Sequence, residues 1–291
     1  MKDAPLVGVV RGRWSQAVPR ALLEACSAAG VEARELAADG LRVVVESAGA
    51  TRVPGAEGVT HLAPAVVHRQ PCAQIVLAAL ERGGARALNP AAAAAIADDK
   101  AATAVALAGA GVAQVRTVVT SQDPHAVAQD AARIGYPLVV KRTHGAQGRW
   151  VRRVSDPDQL PQALDELAED GVSALVLQPF VAVSGGRTIR VIVTGGRMLA
   201  ATERMADPAD FRTNVHLGGQ QRAIDVSAAQ RALAVGAAAA LGLGHAGVDL
   251  IETEDGSAVL EVNACPDFTS MRAHTSTDIA AAVIAELVHL G

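Results

Sequence analysis

Two carboxylates stand where an antiparallel hairpin would set them face to face. Residues 246–253 and 257–263 are both strand-like, and Glu254-Asp255-Gly256 lies between them. That tripeptide reads as a three-residue turn, with Gly256 supplying a positive φ. Folding about Asp255 pairs Asp249 with Glu261 and Gly247 with Asn263, and it puts Val248, Leu250, Leu260 and Val262 together on the other face. Acids so paired repel unless something compensates them. A hard divalent cation would do so, held by Asp249, Glu261, the Asn263 amide oxygen and phosphate oxygens. The plainer alternative is a solvated face on which two acids meet.

A second group is cationic. Lys141 ends the apolar run Leu138-Val139-Val140, and Thr143-His144-Gly145-Ala146-Gln147-Gly148-Arg149 follows at once. Glycines let backbone N–H groups approach phosphate oxygens, and a lysine at a strand end adds a point charge. The P-loop pattern of a glycine loop closed by Lys-Ser/Thr and then a helix is absent, and an ordinary turn between strands explains the loop equally well. Lys100, taken alone on a helix, reads as a surface residue.

These residues need elements to carry them. Residues 6–10 form a buried strand, and a helix from Val18 to Ala29 closes at Gly30. Short strands at 41–45 and 65–67 precede a helix at 77–82. A helix pair or broken helix at 91–110 holds Asp98-Asp99-Lys100, with Asp98 capping a helix or facing solvent. Strands at 115–120, 137–141, 150–154 and 174–181 alternate with helices at 124–134 and 157–169. Two hairpins flank a helix at 227–241, and a helix at 278–289 comes last. The order describes an α+β chain of three lobes, about 1–90, 91–175 and 176–291.

Composition excludes some functions. With 26 basic against 30 acidic residues and only 2% aromatics, neither phosphate neutralisation nor base stacking is available for a nucleic-acid partner. The longest early apolar run, Leu6 to Val10, is too short for a secretory signal, and no uncharged run approaches the roughly 20 residues a membrane helix needs. Cys26, Cys72 and Cys265 show neither disulfide nor zinc spacing. The expectation is a cytoplasmic protein with reduced thiols.

Taken in order, the pieces resemble the ATP-grasp superfamily, in particular RimK-type glutamate ligases and LysX-type ligases of amino-group carrier proteins. The resemblance is carried by Asp99-Lys100, Tyr136-Pro137-Leu138-Val139-Val140-Lys141, the 145–149 loop, Val176-Leu177-Gln178, Ile189-Arg190 and Glu203-Arg204. It continues through residues 210–216, Gly218-Gly219, residues 246–250, Glu261-Val262-Asn263, Pro266 and residues 275–280. It spans about 90–285, and the first 90 residues share only the character of a βα-rich lobe.

The resemblance implies an ATP-grasp fold with ATP between two antiparallel-sheet lobes. It implies an ADP-forming ligase that joins an amine to a carboxylate through an acyl phosphate. Lys100 and Lys141 would hold ATP phosphates beneath a loop containing Gly145, Gln147 and Gly148, and the backbone of Gln178, Pro179, Phe180 and Val181 would hold adenine. Asp249, Glu261 and Asn263 would bind two magnesium ions, with manganese an alternative. Arg190, Arg204, Arg212 and Asn214 would steady the transferring phosphoryl group and substrate carboxylates. The implied partners are an amino acid and a carboxylate acceptor (peptide, carrier protein or small molecule), without nucleic acid or membrane, and a homo-oligomer is expected. A dipeptide ligase of secondary metabolism and a non-catalytic nucleotide-binding regulator are the alternatives. The sequence departs from the RimK pattern at Pro179, Thr188, Met205, Leu217 and Asp267-Phe268. Cys265 reads as a small buried residue.

Overall fold

The computed structural model describes residues 4–11, 16–47, 49–64, 71–145, 148–168, 174–207, 210–213 and 219–290. The expected strand at 65–67 lies outside them, as do Gln147, Asn214 and Leu217.

The chain opens with β1 (Leu6–Arg11), α1 (Ala17–Ala28) and β2 (Glu32–Ala37). Next come the ribbon strands β3 (Val44–Val45) and β4 (Thr51–Arg52), then β5 (His61–Leu62), α2 (Pro71–Arg82) and β6 (Arg86–Ala87). Strands β2, β1, β5 and β6 form a parallel sheet in that order. Sequence reading passes over β2 because Glu32, Arg34 and Glu35 interrupt any apolar pattern. An edge strand tolerates such charges, since its outer side is never covered.

Helices α3 (Ala91–Asp98) and α4 (Lys100–Gly109) meet at Asp99. Its carboxylate accepts from the Ala101 and Ala102 amides at 2.7 and 3.1 Å, so Asp99 caps α4. Asp98, expected as a cap or a solvated residue, is instead buried at the end of α3.

The central sheet follows: β7 (Val118–Ser121), α5 (Pro124–Ile134), β8 (Leu138–Arg142), β9 (Val151–Val154), α6 (Leu160–Leu167) and β10 (Ala174–Pro179). Its antiparallel order is β7-β10-β8-β9. Helices α5 and α6 cover one face, where Val127, Ala131, Leu138, Val140, Leu167 and Leu177 form a separate core. Arg142, missed in the sequence, is buried, stacks on Trp150 at 3.5 Å and donates to the Leu167 and Ala168 carbonyls at the end of α6.

The last part holds β11 (Arg187–Thr194), β12 (Arg197–Met205), β13 (Gln220–Ala223), α7 (Ala228–Ala240), β14 (His245–Thr253), β15 (Gly256–Asn263) and α8 (Ile279–Val288). The antiparallel order is β13-β12-β11-β14-β15. Ala234, Ala237 and Ala238 of α7 belong to the same core as Val191, Val248, Leu250 and Val262 on one sheet face. Small residues along α7 allow that close approach. Ile192 and Ala200, on the opposite face, lie in one core with Ile284 and Phe268.

The packing draws the lobe borders differently from the expected 91–175. Helices α3 and α4 share the α7 core, whereas β10 runs to Pro179 within the central sheet. The N-terminal part is joined to the last sheet by Asn89. Its side chain donates to the His245 and Ala264 carbonyls at 2.7 and 2.5 Å and accepts from the His245 amide at 2.8 Å. This buried clamp fixes the start of β14 beside the end of β15, and so positions Asn263.

Candidate active site

The hairpin register pairs Asp249 with Glu261 and Gly247 with Asn263, as the hydrophobic pattern requires. Beyond them the expectation fails. Thr253 pairs with Gly256, so the turn contains two residues, and Leu250 pairs with Val259. The extra residue, Leu260, is a bulge. Val259 therefore takes the buried place assigned to Leu260: it is 2% exposed, while Leu260 is only partly buried. The bulge sits beside Glu261, where it re-aims the strand.

Cross-strand pairing extends the acidic pair into a row. Arg190 on β11 stands opposite Asp249, which stands opposite Glu261, and Thr202 on β12 stands opposite Arg190. Directly paired residues share a sheet face, as do residues two apart on one strand. Thr188, Arg190, Thr202, Arg204, Asp249, Glu261 and Asn263 thus form one polar face, opposite the face that meets α7.

The compensation that two facing acids demand comes first from arginine. Arg190 grips Asp249 through Nε and Nη2, both bonds short, and Arg204 Nη1 lies 4.0 Å from Asp249 Oδ1. Burial disfavours the Arg190 charge, but Asp249 outweighs it and holds the guanidinium above its ordinary pKa. Arg204 is lowered to about 10, by burial and then by the Arg190 charge. Gly247 is required beside them. A Cβ there would stand 2.5 Å from Pro266 Cβ and 3.1 Å from Arg190 Nη1, so the space across from Asn263 is already filled. Gly247→Ala should cost about 1–3 kcal/mol by overpacking and displace Arg190. Denaturant unfolding of the variant measures the loss.

Glu261 meets lysines. Lys100 Nζ lies 3.4 Å from Glu261 Oε1 and donates to the Gly145 carbonyl at 2.9 Å. Burial would raise the Glu261 pKa, but Lys100, Lys141 and Arg190 together hold it below the usual carboxylate value. The lysines converge because the loop after β8 is stitched to the start of α4. The Lys100 amide donates to the Thr143 carbonyl at 2.8 Å, and Asp99 bridges to His144. Lys100, read from sequence as a surface residue when taken alone, is therefore a cleft residue at a helix N-terminus, where the dipole also favours anions. The cleft is lined by Lys100, Lys141, Gln178, Leu260 and Glu261 with apolar side chains of α3, α4 and β15.

Lys141 is oriented by a chain of side chains. It donates to Gln178 Oε1 at 2.7 Å, Gln178 Nε2 donates to Thr117 Oγ1 at 2.9 Å, and Thr117 donates to the Val115 carbonyl. Burial, followed in weight by Glu261, Lys100 and Asp249, leaves its pKa lowered to about 8. A depressed lysine pKa means that the unfolded chain binds the proton more tightly. The resulting penalty is full below pH 8 and disappears as pH rises from about 8 to the unfolded value of 10.5. Wild type should therefore gain stability relative to Lys141→Met over that interval, as denaturant melts at a series of pH values would show.

The remaining expected residues divide between two places. The Phe180 amide donates to the Pro137 carbonyl at 3.0 Å. Strand alternation then turns the Pro179 carbonyl toward the other side, past the start of β7 at Val118. Val181 follows, its carbonyl accepting from Ser184 Oγ. Gly145 (φ 146°) and Gly148 (φ 68°) both adopt positive φ. Arg212 is held by Asp210 and donates to the Gly148 carbonyl at 2.8 Å, while Thr188 and Thr213 share a hydroxyl hydrogen bond at 2.7 Å. Cys265, expected as a buried residue, is only partly buried, and its thiol is pushed up to about 12, by desolvation and then by the Asp267 charge. That suits a small packing residue rather than a nucleophile.

Among the described residues, no helix is long and apolar enough to cross a membrane. The chain is similar throughout its length to solved ATP-grasp proteins. One is a RimK domain ATP-grasp protein from Sphaerobacter thermophilus (TM-score 0.75, 24% identity, 97% of this chain and 99% of that one). The chain is likewise similar to the solved D-cycloserine synthetase DcsG (TM-score 0.74, 25% identity, 98% and 99%). In sequence it is 44% identical over 151 residues to a probable alpha-L-glutamate ligase of Sodalis glossinidius, covering 52% of this chain and 50% of that protein. It is 36% identical over 200 residues to the corresponding protein of Mannheimia succiniciproducens, covering 69% and 66%. The matched stretches span between about a third and two thirds of the length of these glutamate-ligase relatives. The RimK-like ATP-grasp domain model matches residues 97–287, the stretch that builds the lysine cleft and the polar sheet face, and the chain belongs to that family.

Proposed function

We propose that the chain is an ATP-dependent carboxylate–amine ligase, joining an amino acid to the carboxylate of a peptide, protein or carrier through an acyl phosphate. The observation that carries this reading is the row Arg190–Asp249–Glu261 across three strands, with Lys100 and Lys141 converging on its acidic end. The relatives named as probable alpha-L-glutamate ligases support it.

The residues fit both groups that such a reaction needs. Two ammonium groups in one cleft, one of them with a depressed pKa, favour an anion that would restore its charge, and a nucleotide's terminal phosphates have that character. Pro179 O and the Val181 amide would face the adenine edge. For magnesium, Glu261 and Asn263 supply oxygen donors two residues apart on one face of β15. Magnesium completes its octahedron with phosphate oxygens and water, so a short protein donor set is sufficient. Asp249 is committed to Arg190 here, so its ligand role would require sharing that carboxylate. When bound, the cation would neutralise charge on the transferring phosphoryl group.

The chain's own side chains do the rest. Lys100 and Lys141 orient the phosphates, and Arg190, fixed by Asp249, presents its guanidinium beside the reacting carboxylate. Arg204 holds a substrate carboxylate. A carboxylate activated as an acyl phosphate hydrolyses in water, so the loop containing Gly145 and Gly148 would shield it. An amine then attacks the carbonyl carbon, the C–N bond forms, and phosphate leaves with the C–O bond electrons.

A small-molecule ligase using the same residues is the second reading, supported by the whole-length likeness to D-cycloserine synthetase. Screening ADP release against the twenty amino acids, with and without peptide, carrier and small-molecule acceptors, separates the two. No nucleotide-dependent turnover with any pair, together with no nucleotide binding, would remove the ligase reading.

A further inference from the structure

Trp150 stands at the mouth of the loop that joins β8 to β9. The Arg142 amide donates to the Trp150 carbonyl at 3.2 Å, one step beyond the Lys141–Val151 pair that ends the ladder. The indole packs against the central core, and the Arg142 guanidinium lies 3.5 Å from its ring centre. Arg142 is itself fixed. It is buried, and its Nε and Nη2 donate to the Leu167 and Ala168 carbonyls at 2.9 and 3.0 Å. Those carbonyls close α6, where the helix dipole favours a cation. Two hydrogen bonds set the guanidinium plane, and the attraction of a desolvated cation for the ring face holds the indole against it.

Gly145 rests on this indole. A Cβ at Gly145 would stand 3.0 Å from Trp150 Cδ1 and 3.7 Å from its Cβ and Cγ, and the φ of 146° is open only to glycine. The ring is thus the surface on which the Gly145 peptide is set. The Gly145 carbonyl accepts from Lys100 Nζ at 2.9 Å, while the Lys100 amide donates to the Thr143 carbonyl at 2.8 Å. Both ends of Lys100 are therefore placed by the same loop stem. An ammonium on a flexible four-carbon stem has no preferred position of its own, so a fixed acceptor decides where it stands.

We propose that Trp150, held by Arg142, is a positioning residue for Lys100, setting through the Gly145 carbonyl where that ammonium meets a nucleotide's terminal phosphates. The identity of the anion rests on the ligase reading. The mechanical chain, from the end of α6 through Arg142, Trp150 and Gly145 to Lys100, rests on the contacts alone. A tryptophan that only filled volume would affect nucleoside and nucleotide alike. One that acts through Lys100 affects the phosphate-bearing molecule only.

Calorimetric titration with two probes tests this: a non-hydrolysable ATP analogue with magnesium, and adenosine, which has no phosphate. Trp150→Ala should weaken analogue binding about tenfold, the scale of one charge-assisted hydrogen bond, and leave adenosine unchanged. Trp150→Phe, which keeps a ring face for Arg142, should stay within about threefold of wild type. In a Lys100→Met background, Trp150→Ala should add no more than about twofold, because the group it acts through is gone. Adenosine weakened as much as the analogue, Trp150→Ala binding the analogue like wild type, Trp150→Phe as weak as Trp150→Ala, or the full loss persisting in the Lys100→Met background would overturn the proposal. Should Trp150→Ala not fold, Gly145→Ala displaces the same carbonyl with the indole and Arg142 in place: the same loss supports the proposal and unchanged binding overturns it. Analogue binding that Trp150→Ala leaves intact removes the positioning role alone, whereas a wild type that binds no analogue removes the nucleotide reading with it.

Discussion

Replacing Glu261 with Gln should lower ATP-dependent ADP release on the order of 10²–10³-fold, the scale for losing one group that acts on transition-state charge, while thermal unfolding stays close to wild type. Glu261 is 37% exposed at its side chain and meets Lys100 at 3.4 Å, a loose contact whose loss costs little. Its isosteric amide keeps shape and one oxygen but removes the charge that a hard cation requires. Steady-state ADP release and a calorimetric scan measure the two effects. Turnover within a few-fold of wild type would place the metal elsewhere.

Asp249→Asn should behave differently, although the two acids face each other. Asp249 neutralises a buried Arg190 and lies 4.0 Å from Arg204, so removing its charge leaves two buried guanidiniums without their main counter-ion. Loss of one partner of a buried pair costs about 3–5 kcal/mol. The single variant should therefore lose activity and stability together. Arg190→Met combined with Asp249→Leu should regain most of the stability, because an apolar pair of similar volume replaces the ion pair, and should remain inactive. Urea unfolding of both variants checks the first point and ADP release the second. A stable Asp249→Asn variant would show that Arg190 does not depend on its partner.

These contrasting expectations mark where sequence reading ends. The facing of Asp249 and Glu261 was legible because period-two alternation leaves only one register that buries Val248, Leu250 and Val262. The bulge at Leu260 was not, because one extra residue near a turn leaves the same alternation on its far side. The cation compensating Asp249 was hidden as well. Arg190 lies 59 residues away in sequence, and nothing local states that β11 and β14 are neighbours. Lys100 carried no signal of its own: its place follows from Asp99 capping α4 and from the Thr143 contact. Asn89 and Arg142 were invisible because their partners are backbone carbonyls, which any sequence supplies. Strands β2 and β13 were missed for their polar residues, which edge positions accept. Helices such as α5 and α7 were plain, since Asp123-Pro124 and the Ser227–Gln230 capping box announce their starts.

Ligase chemistry here requires the cleft between α4, β8 and β15 to receive a nucleotide's terminal phosphates. A crystal structure of the wild-type chain with a non-hydrolysable ATP analogue and magnesium tests this most directly. It should show phosphate oxygens on Lys100 and Lys141, and a cation joining them to Glu261 and Asn263. A nucleotide bound away from both lysines, or a cation with neither Glu261 nor Asn263 among its ligands, would contradict it.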